Sequence, residues 1–224
     1  MTGTVKAETG YPPAMTPRPA TSVPRRLSEE QIAGEPMTQF ALWLDDALAS
    51  DMPEPTAMVL STITAEGRPR ARTVLLKAHD RAGFTFYSNR TSRKGRELAG
   101  NPSACLVFPW YGIERQVIVE GAVRELSQAE SEPYYRSRAR LSQIGAWASR
   151  QSTVIASRAV LDDRVAELER RWPEPGQVPM PDFWGGYLLE PDTVEFWQAG
   201  TFRLHDRLRY RRAGDGWAVD RLSP

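Results

Sequence analysis

The chain has 224 residues, 41% hydrophobic and 25% charged, and its 29 Lys and Arg against 28 Asp and Glu leave a formal charge of +1. This fits one domain with a real core, and it argues against a dedicated nucleic-acid binder or a polybasic membrane protein. A single cysteine, Cys105, excludes an internal disulfide, and with two histidines, His79 and His205, a structural zinc site has too few ligands. No apolar run approaches the roughly 18–20 residues of a membrane span, and no apolar signal core opens the chain. The expected location is the cytoplasm, with neither nucleic acid nor membrane as partner.

Residues 1–27 hold five prolines and few large apolar groups, which predicts a mobile tail ahead of a single domain over 28–224. From Pro36, the spacing of Phe40, Trp43, Leu44, Ala47 and Leu48 predicts a helix with one buried stripe. Strands follow at Ala57–Thr64, Arg70–Ala78 and Gly83–Ser88, with turns at Ala65–Gly67 and Asp80–Gly83. Ser92–Gly100 reads as a short helix, Cys105–Trp110 and Gln116–Leu126 as strands. In the latter, Val117, Val119, Gly121 and Val123 share one face. Ser127–Ser149 and Ser157–Trp172 read as helices, the second with a stripe of Leu161, Val165, Leu168 and Trp172. Trp184–Leu189, Val194–Gln198, Arg207–Arg211 and Trp217–Leu222 end the chain as strands. Strands dominate without βαβ alternation, so the expected fold is mainly β with added helices, an antiparallel barrel. His79, beside a turn, reads as a surface residue, and Cys105 as an inert core thiol.

The near-zero net charge hides a local bias. Residues 68–96 carry nine Lys or Arg against one acid, Asp80, and Arg136, Arg138, Arg140 and Arg150 follow with no acid across 136–150. Some belong to solvated turns; the rest suit an anion pocket, because Arg grips phosphate with a planar fork and Lys as a point charge. No glycine-rich phosphate loop is present, so side chains must do the holding. On a strand, Arg203, His205 and Arg207 would share a face, an arrangement that calls for an anion; an exposed edge strand accounts for the same spacing equally well. Tyr134, Arg138 and Ser142 would form one polar ridge of a continuous helix, which on spacing alone reads better as a solvated face than as a site. Arg72 and Lys77, an odd number apart, reach one pocket only if their strand bends, bulges or ends between them.

Taken in order, several segments resemble a known family: Arg72-Thr73-Val74-Leu75-Leu76-Lys77, Phe86-Tyr87-Ser88-Asn89, Ser92-Arg93-Lys94-Gly95, Arg115-Gln116-Val117, Val119-Glu120-Gly121, Ser142-Gln143-Ile144-Gly145-Ala146-Trp147, Gln151-Ser152, Trp184-Gly185-Gly186, Glu195-Phe196-Trp197-Gln198, Arg203-Leu204-His205-Asp206-Arg207 and Arg221-Leu222-Ser223-Pro224. Over roughly residues 36–224 the chain resembles the pyridoxamine/pyridoxine 5′-phosphate oxidases. The resemblance implies an FMN-binding split β-barrel, a homodimer with FMN at the subunit interface, and oxidation of a phosphorylated B6 vitamer to pyridoxal 5′-phosphate with dioxygen as acceptor and hydrogen peroxide as product. It implies FMN contacts from Arg72, Thr73, Val74, Leu75, Leu76, Lys77, Tyr87, Ser88, Arg93, Lys94, Gln116, Gln151, Ser152, Trp197 and Arg207. Substrate contacts would come from Lys77, Tyr134, Arg138 and Ser142, with Arg203 and His205 as catalytic residues. The chain departs from the family in having Arg138-Ala139 where Arg-Pro is usual, Ala199 where Gly is usual, and no N-terminal Arg-x-x-Tyr segment in residues 1–35. Two alternatives fit the same resemblance: a related flavin oxidase of secondary metabolism, and a non-catalytic carrier of flavin or pyridoxal phosphate.

Overall fold

A computed structural model describes residues 26–224. The predicted tail therefore lies outside the described residues apart from its last two; of these, Leu27 is buried in the core and its N–H donates to Asp206 Oδ2 at 3.2 Å. Helix α1 (Pro36–Leu48) starts on a proline, whose missing N–H is no loss in a first turn. Phe40, Trp43, Leu44 and Ala47 are buried as the spacing predicts. Leu48 is exposed instead: it lies roughly 80° round the helix from Phe40, at the margin of the stripe and in the final turn. Phe40 packs edge-on against Phe84 and Phe108, with ring centroids 4.8 and 4.9 Å away, and against His79 at 5.1 Å. His79 is thus half-buried, not a surface residue, and burial holds its imidazole below its ordinary pKa.

Among the described residues, nine antiparallel strands curl into a half-barrel: β1 (Ala57–Ile63), β2 (Pro69–Leu75), β3 (Ala78–Asp80), β4 (Gly83–Asn89), β5 (Ser103–Trp110), β6 (Arg115–Glu125), β7 (Trp184–Gln198), β8 (Asp206–Ala213) and β9 (Gly216–Arg221). Their order is β2-β1-β5-β6-β7-β4-β3, with β8 on β7 and β9 on β8. Alternation places Met58 and Leu60 of β1, Leu106 and Phe108 of β5, and Val117 and Val119 of β6 on the inner face. The five helices of the described residues are α1, α2 (Arg93–Gly100), α3 (Gln128–Ser137), α4 (Arg140–Ala148) and α5 (Ala159–Arg171). α4 and α5 form a satellite core in which Ile144, Ala148, Leu168 and Val178 meet Val165, Trp147 and Trp172. No helix among the described residues is long and apolar enough to cross a membrane.

Four segments depart from the sequence-based expectation. The run Arg70–Ala78 is two strands, because β2 follows β1 while the next residues cross to β4, with Lys77 N–H donating to Thr85 O at 2.9 Å. Trp184–Leu189 and Val194–Gln198 are one strand, β7, which pairs with β6 along its length, with β4 through its first half and with β8 through its second. Its partner β6 absorbs the irregularity at Glu120/Gly121, where a side chain in place of the Gly121 hydrogen would strike the Glu190 carbonyl. Ser127–Ser149 is two helices. Arg203 and His205 precede β8 instead of lying on it.

Phe40 joins helix to sheet with no exposed surface, so Phe40→Ala should cost about 3–5 kcal/mol. Equilibrium urea unfolding would record it as a lower midpoint with little change of slope.

Candidate active site

A cavity of about 510 Å3 opens where the end of β2, the start of α2, β4 and the α3–α4 junction meet. Its walls are Thr73, Val74, Leu75, Lys77, Tyr87, Ser88, Lys94, Tyr134, Arg138, Ala139, Ser142, Gln151 and Trp184. Three of these are cations and none is a carboxylate. None of the three forms a salt bridge among the described residues.

The break between β2 and β3 resolves the odd spacing of Arg72 and Lys77. β2 ends at Leu75, Leu76 is buried, and Lys77 emerges beyond the strand at the cavity wall. Arg72 remains in β2, outside that wall, where its guanidinium donates to Leu60 O at 3.1 Å, Thr62 Oγ1 at 2.6 Å and Glu97 Oε2 at 2.8 Å. Burial raises the Glu97 carboxyl pKa, but hydrogen bonds from Thr62 and Arg72 and the charges of Arg72 and Arg70 outweigh it, and the carboxyl stays below its ordinary value.

Lys94 sits in the first turn of α2, whose N-cap Ser92 accepts from Gly95 N–H. Its Nζ donates to Ser88 Oγ and Gln151 Oε1, both at 3.1 Å. Burial pulls this ammonium below its ordinary pKa; the nearby Arg72 charge pulls the same way, opposed by Glu97. Gln151-Ser152 does more than mark a turn: Ser152 adopts a left-handed backbone (φ 69°), and its Oγ accepts from Arg93 N–H at 3.2 Å. Ser88, Arg93, Lys94, Gln151 and Ser152 therefore form one hydrogen-bonded polar patch with two cations at the helix start, a setting that favours an anion.

Tyr134, Arg138 and Ser142 all face the cavity, but not along one helix. α3 ends at Ser137, Arg138 and Ala139 are extended, and α4 begins at Arg140. Gln143 stabilises the break, its Nε2 donating to the carbonyls of Tyr135 (3.1 Å), Arg136 (3.4 Å) and Arg138 (3.0 Å). A helix end leaves such carbonyls short of partners; of the three, Tyr135 O also accepts from Arg138 N–H at 3.2 Å.

Of the remaining sequence-based candidates, Gln116, Trp197, Arg203, His205 and Arg207 do not line this cavity. Trp197 lies opposite Gln116 on one side and Arg207 on the other in the sheet. The His205 ring lies 4.5 Å from the Trp197 ring, and His205 Nδ1 accepts from Gly200 N–H at 3.1 Å. Nδ1 being the acceptor, the neutral imidazole carries its proton on Nε2. Arg203 is in a tight turn with φ 64°, following Phe202 at φ 54°, so the shared strand face of Arg203, His205 and Arg207 does not form. Arg207 is also no free cation: it pairs with Glu195 through two hydrogen bonds, at 2.8 and 3.0 Å.

One residue of the site, Glu97, has no distinct signal in the sequence, and Trp184 is marked only as part of the ordered motif Trp184-Gly185-Gly186, with no role attached. Glu97, the partner of Arg72, is an ordinary acid of a short helix in sequence terms. Trp184 reads as packing; the pair Gly185-Gly186 after it was the available clue, since a side chain at either would press on Arg90 or Tyr87. Cys105 is outside the cavity, and burial pushes its thiol pKa up to about 11, away from reactive thiolate.

The family pattern described as pyridoxamine 5′-phosphate oxidase matches residues 44–171, and that described as the pyridoxine 5′-phosphate oxidase C-terminal dimerisation region matches residues 184–224. The chain belongs to the pyridoxamine 5′-phosphate oxidase family. It is 59% identical over 203 residues to a pyridoxine/pyridoxamine 5′-phosphate oxidase of Frankia alni, covering 89% of this chain and 84% of that protein. The corresponding protein of Thermosynechococcus vestitus is 52% identical over 200 residues, covering 89% and 94%. Among solved structures, PhzG from Burkholderia lata, in complex with tetrahydrophenazine-1-carboxylic acid, is 33% identical with a TM-score of 0.82, covering 87% of this chain and 95% of that one. A pyridoxamine 5′-phosphate oxidase-related, FMN-binding protein from Nostoc punctiforme has the same fold at 15% identity (TM-score 0.67), covering 88% and 98%. The protein is thus an oxidoreductase with the split barrel of the pyridoxamine 5′-phosphate oxidases, and its last three strands lie within the family's dimerisation region.

The Glu97 carboxyl, lower in pKa when folded than when unfolded, stabilises the fold above the ordinary carboxylate range, and that stability is lost as pH falls through its folded value. Glu97→Gln should therefore lower the urea midpoint near neutral pH and flatten its decline as pH falls through and below the ordinary carboxylate range.

Proposed function

We propose that this protein is a pyridoxal 5′-phosphate synthase. It oxidises pyridoxamine 5′-phosphate, pyridoxine 5′-phosphate or both, with FMN as cofactor, dioxygen as electron acceptor and hydrogen peroxide as product. The observation that carries the reading is the cavity with three cations and no acid, a setting for phosphomonoester dianions. The donor set at the start of α2 suits the phosphate of FMN: Lys94, Ser88, Gln151 and Ser152, with Arg93 beside them and Arg72 behind. Thr73, Val74, Leu75 and Leu76 would run along the flavin, with Tyr87 near it. When bound, FMN supplies the two-electron acceptor for the carbon–nitrogen or carbon–oxygen bond at C4′ and the route to dioxygen.

Lys77, Tyr134, Arg138 and Ser142 hold the substrate phosphate in this reading and so anchor the end remote from the reacting carbon. Arg203 and His205 orient the substrate and assist loss of the proton from its amine or hydroxyl; Nε2–H of the neutral imidazole suits the orienting part. Gln116, Trp197 and Arg207 complete the flavin site. Because these five residues do not line the cavity of their own chain, the site is assembled from two copies, with FMN between them.

The likeness to PhzG supports a second reading, an oxidase acting on a ring without phosphate. Lys77, Tyr134, Arg138 and Ser142 weigh against it, since such a substrate has no use for that set.

Purified protein should be yellow and should release hydrogen peroxide in air with pyridoxine or pyridoxamine 5′-phosphate; equal turnover of the non-phosphorylated vitamers would favour the second reading. Arg203→Ala should keep the flavin absorbance and lower kcat by about 100-fold or more. Unaltered kinetics would remove Arg203 from the mechanism.

A further inference from the structure

Arg138 is held in an unusual way for a half-buried cation. No carboxylate pairs with it among the described residues, and its buried Nη1 has no hydrogen-bond partner there. Its guanidinium carbon instead lies 4.9 Å from the centroid of the Trp184 ring and 5.8 Å from that of Tyr135. Trp184 in turn stacks on Tyr87, with centroids 5.3 Å apart and planes 13° apart, and lies nearly parallel to Tyr134, 6.2 Å away. Tyr87 and Tyr134 stack directly at 4.1 Å. One indole, itself buried, therefore touches Arg138 and Tyr87 and runs parallel to Tyr134.

We infer that Trp184 is a positioning residue that sets the preference for a phosphorylated substrate by holding the Arg138 guanidinium on a neutral aromatic face. This rests on the phosphate-holding role proposed for Arg138. An acid in the same place would fix the guanidinium equally well, but it would neutralise the charge and occupy the donors that an incoming phosphate must reach. A π-face attracts the cation through the ring quadrupole and takes none of its N–H donors. Burial already weighs against the Arg138 cation, so a platform that adds favourable electrostatics without consuming a donor keeps the side chain both charged and available. The Trp184–Tyr87–Tyr134 stack, with Tyr87 as its middle ring, extends the effect, because Tyr134 also lines the cavity. Gly186 permits the arrangement: a Cβ there would come within 2.9 Å of Tyr87 Cε1.

The test is equilibrium binding to the flavin-loaded protein of two ligands that differ only in the phosphate, pyridoxal 5′-phosphate and pyridoxal. The readout is the ratio of their affinities. Trp184→Leu should lower that ratio by roughly tenfold, Trp184→Phe should restore most of it, and in an Arg138→Ala background Trp184→Leu should change it little further. If Trp184→Leu does not fold, Trp184→Phe against Trp184→Met reads the same contrast, one keeping an aromatic face and the other only bulk. A full ratio in the Leu or Met variant, equal losses with and without the aromatic face, or an additive loss in the Arg138→Ala background would each overturn the inference and leave the proposed reaction standing. A wild-type protein that binds both ligands equally would overturn the phosphate-holding role, and the inference with it.

Discussion

Positive charge without a counterion is the feature on which the rest of this structure depends. Lys77, Lys94 and Arg138 border one cavity, and among the described residues no acid lines it. Gathering cations costs energy through mutual repulsion and lost hydration. The fold supplies that energy from a large apolar core, in which Phe40, Phe84, Phe86, Phe108 and Phe196 have no exposed surface. In the proposed function the cavity would thereby be matched in charge to an anion before one arrives.

The other arginines show the contrast. Arg72 is engaged by Glu97, Arg207 by Glu195, and Arg221 by Glu29 and Asp206. These neutralised cations act as struts: Arg221 also donates to Leu27 O and Arg207 to Ser223 O, tying the segment before α1 and the residues after β9 to the last strands. Of the cations named here, Lys77, Lys94 and Arg138 border the cavity without a salt bridge, while Arg207 and Arg221 are held by acids, although Arg207 also stands in the proposed flavin site. Arg72 belongs to both scaffold and proposed site, since its pairing with Glu97 fixes it behind Lys94, and its charge still lowers the Lys94 pKa.

Irregular backbone aims two of the three cations at the cavity; the third, Lys94, is carried by the first turn of α2. Lys77 reaches the cavity because β2 stops before it, and Arg138 because α3 stops before it. In both places the chain leaves regular structure for two residues and then resumes in a different element. Arg203 and His205 also lie in irregular backbone, on a turn closed by Gly200 and carrying two left-handed residues. Rigid strands and helices on either side keep these breaks in register, as a site built on short connections requires.

Much was legible in the sequence, because it depends on local pattern. The alternation in β1, β5 and β6, the stripe of α1 and the clustering of cations over 68–96 each follow from neighbouring residues, and the ordered motifs named the family. The sequence could not decide where regular elements stop. Arg70–Ala78 has the composition of one strand and Ser127–Ser149 that of one helix; each breaks because its second half packs on a different partner, β4 in one case and α5 in the other. Nor could it show which cations are neutralised, since Glu97 and Glu195 lie 25 and 12 residues from the arginines they hold. Trp184 illustrates the same limit: its role comes from rings that stack across strand and helix, and such contacts exist only once distant segments have been brought together by burial.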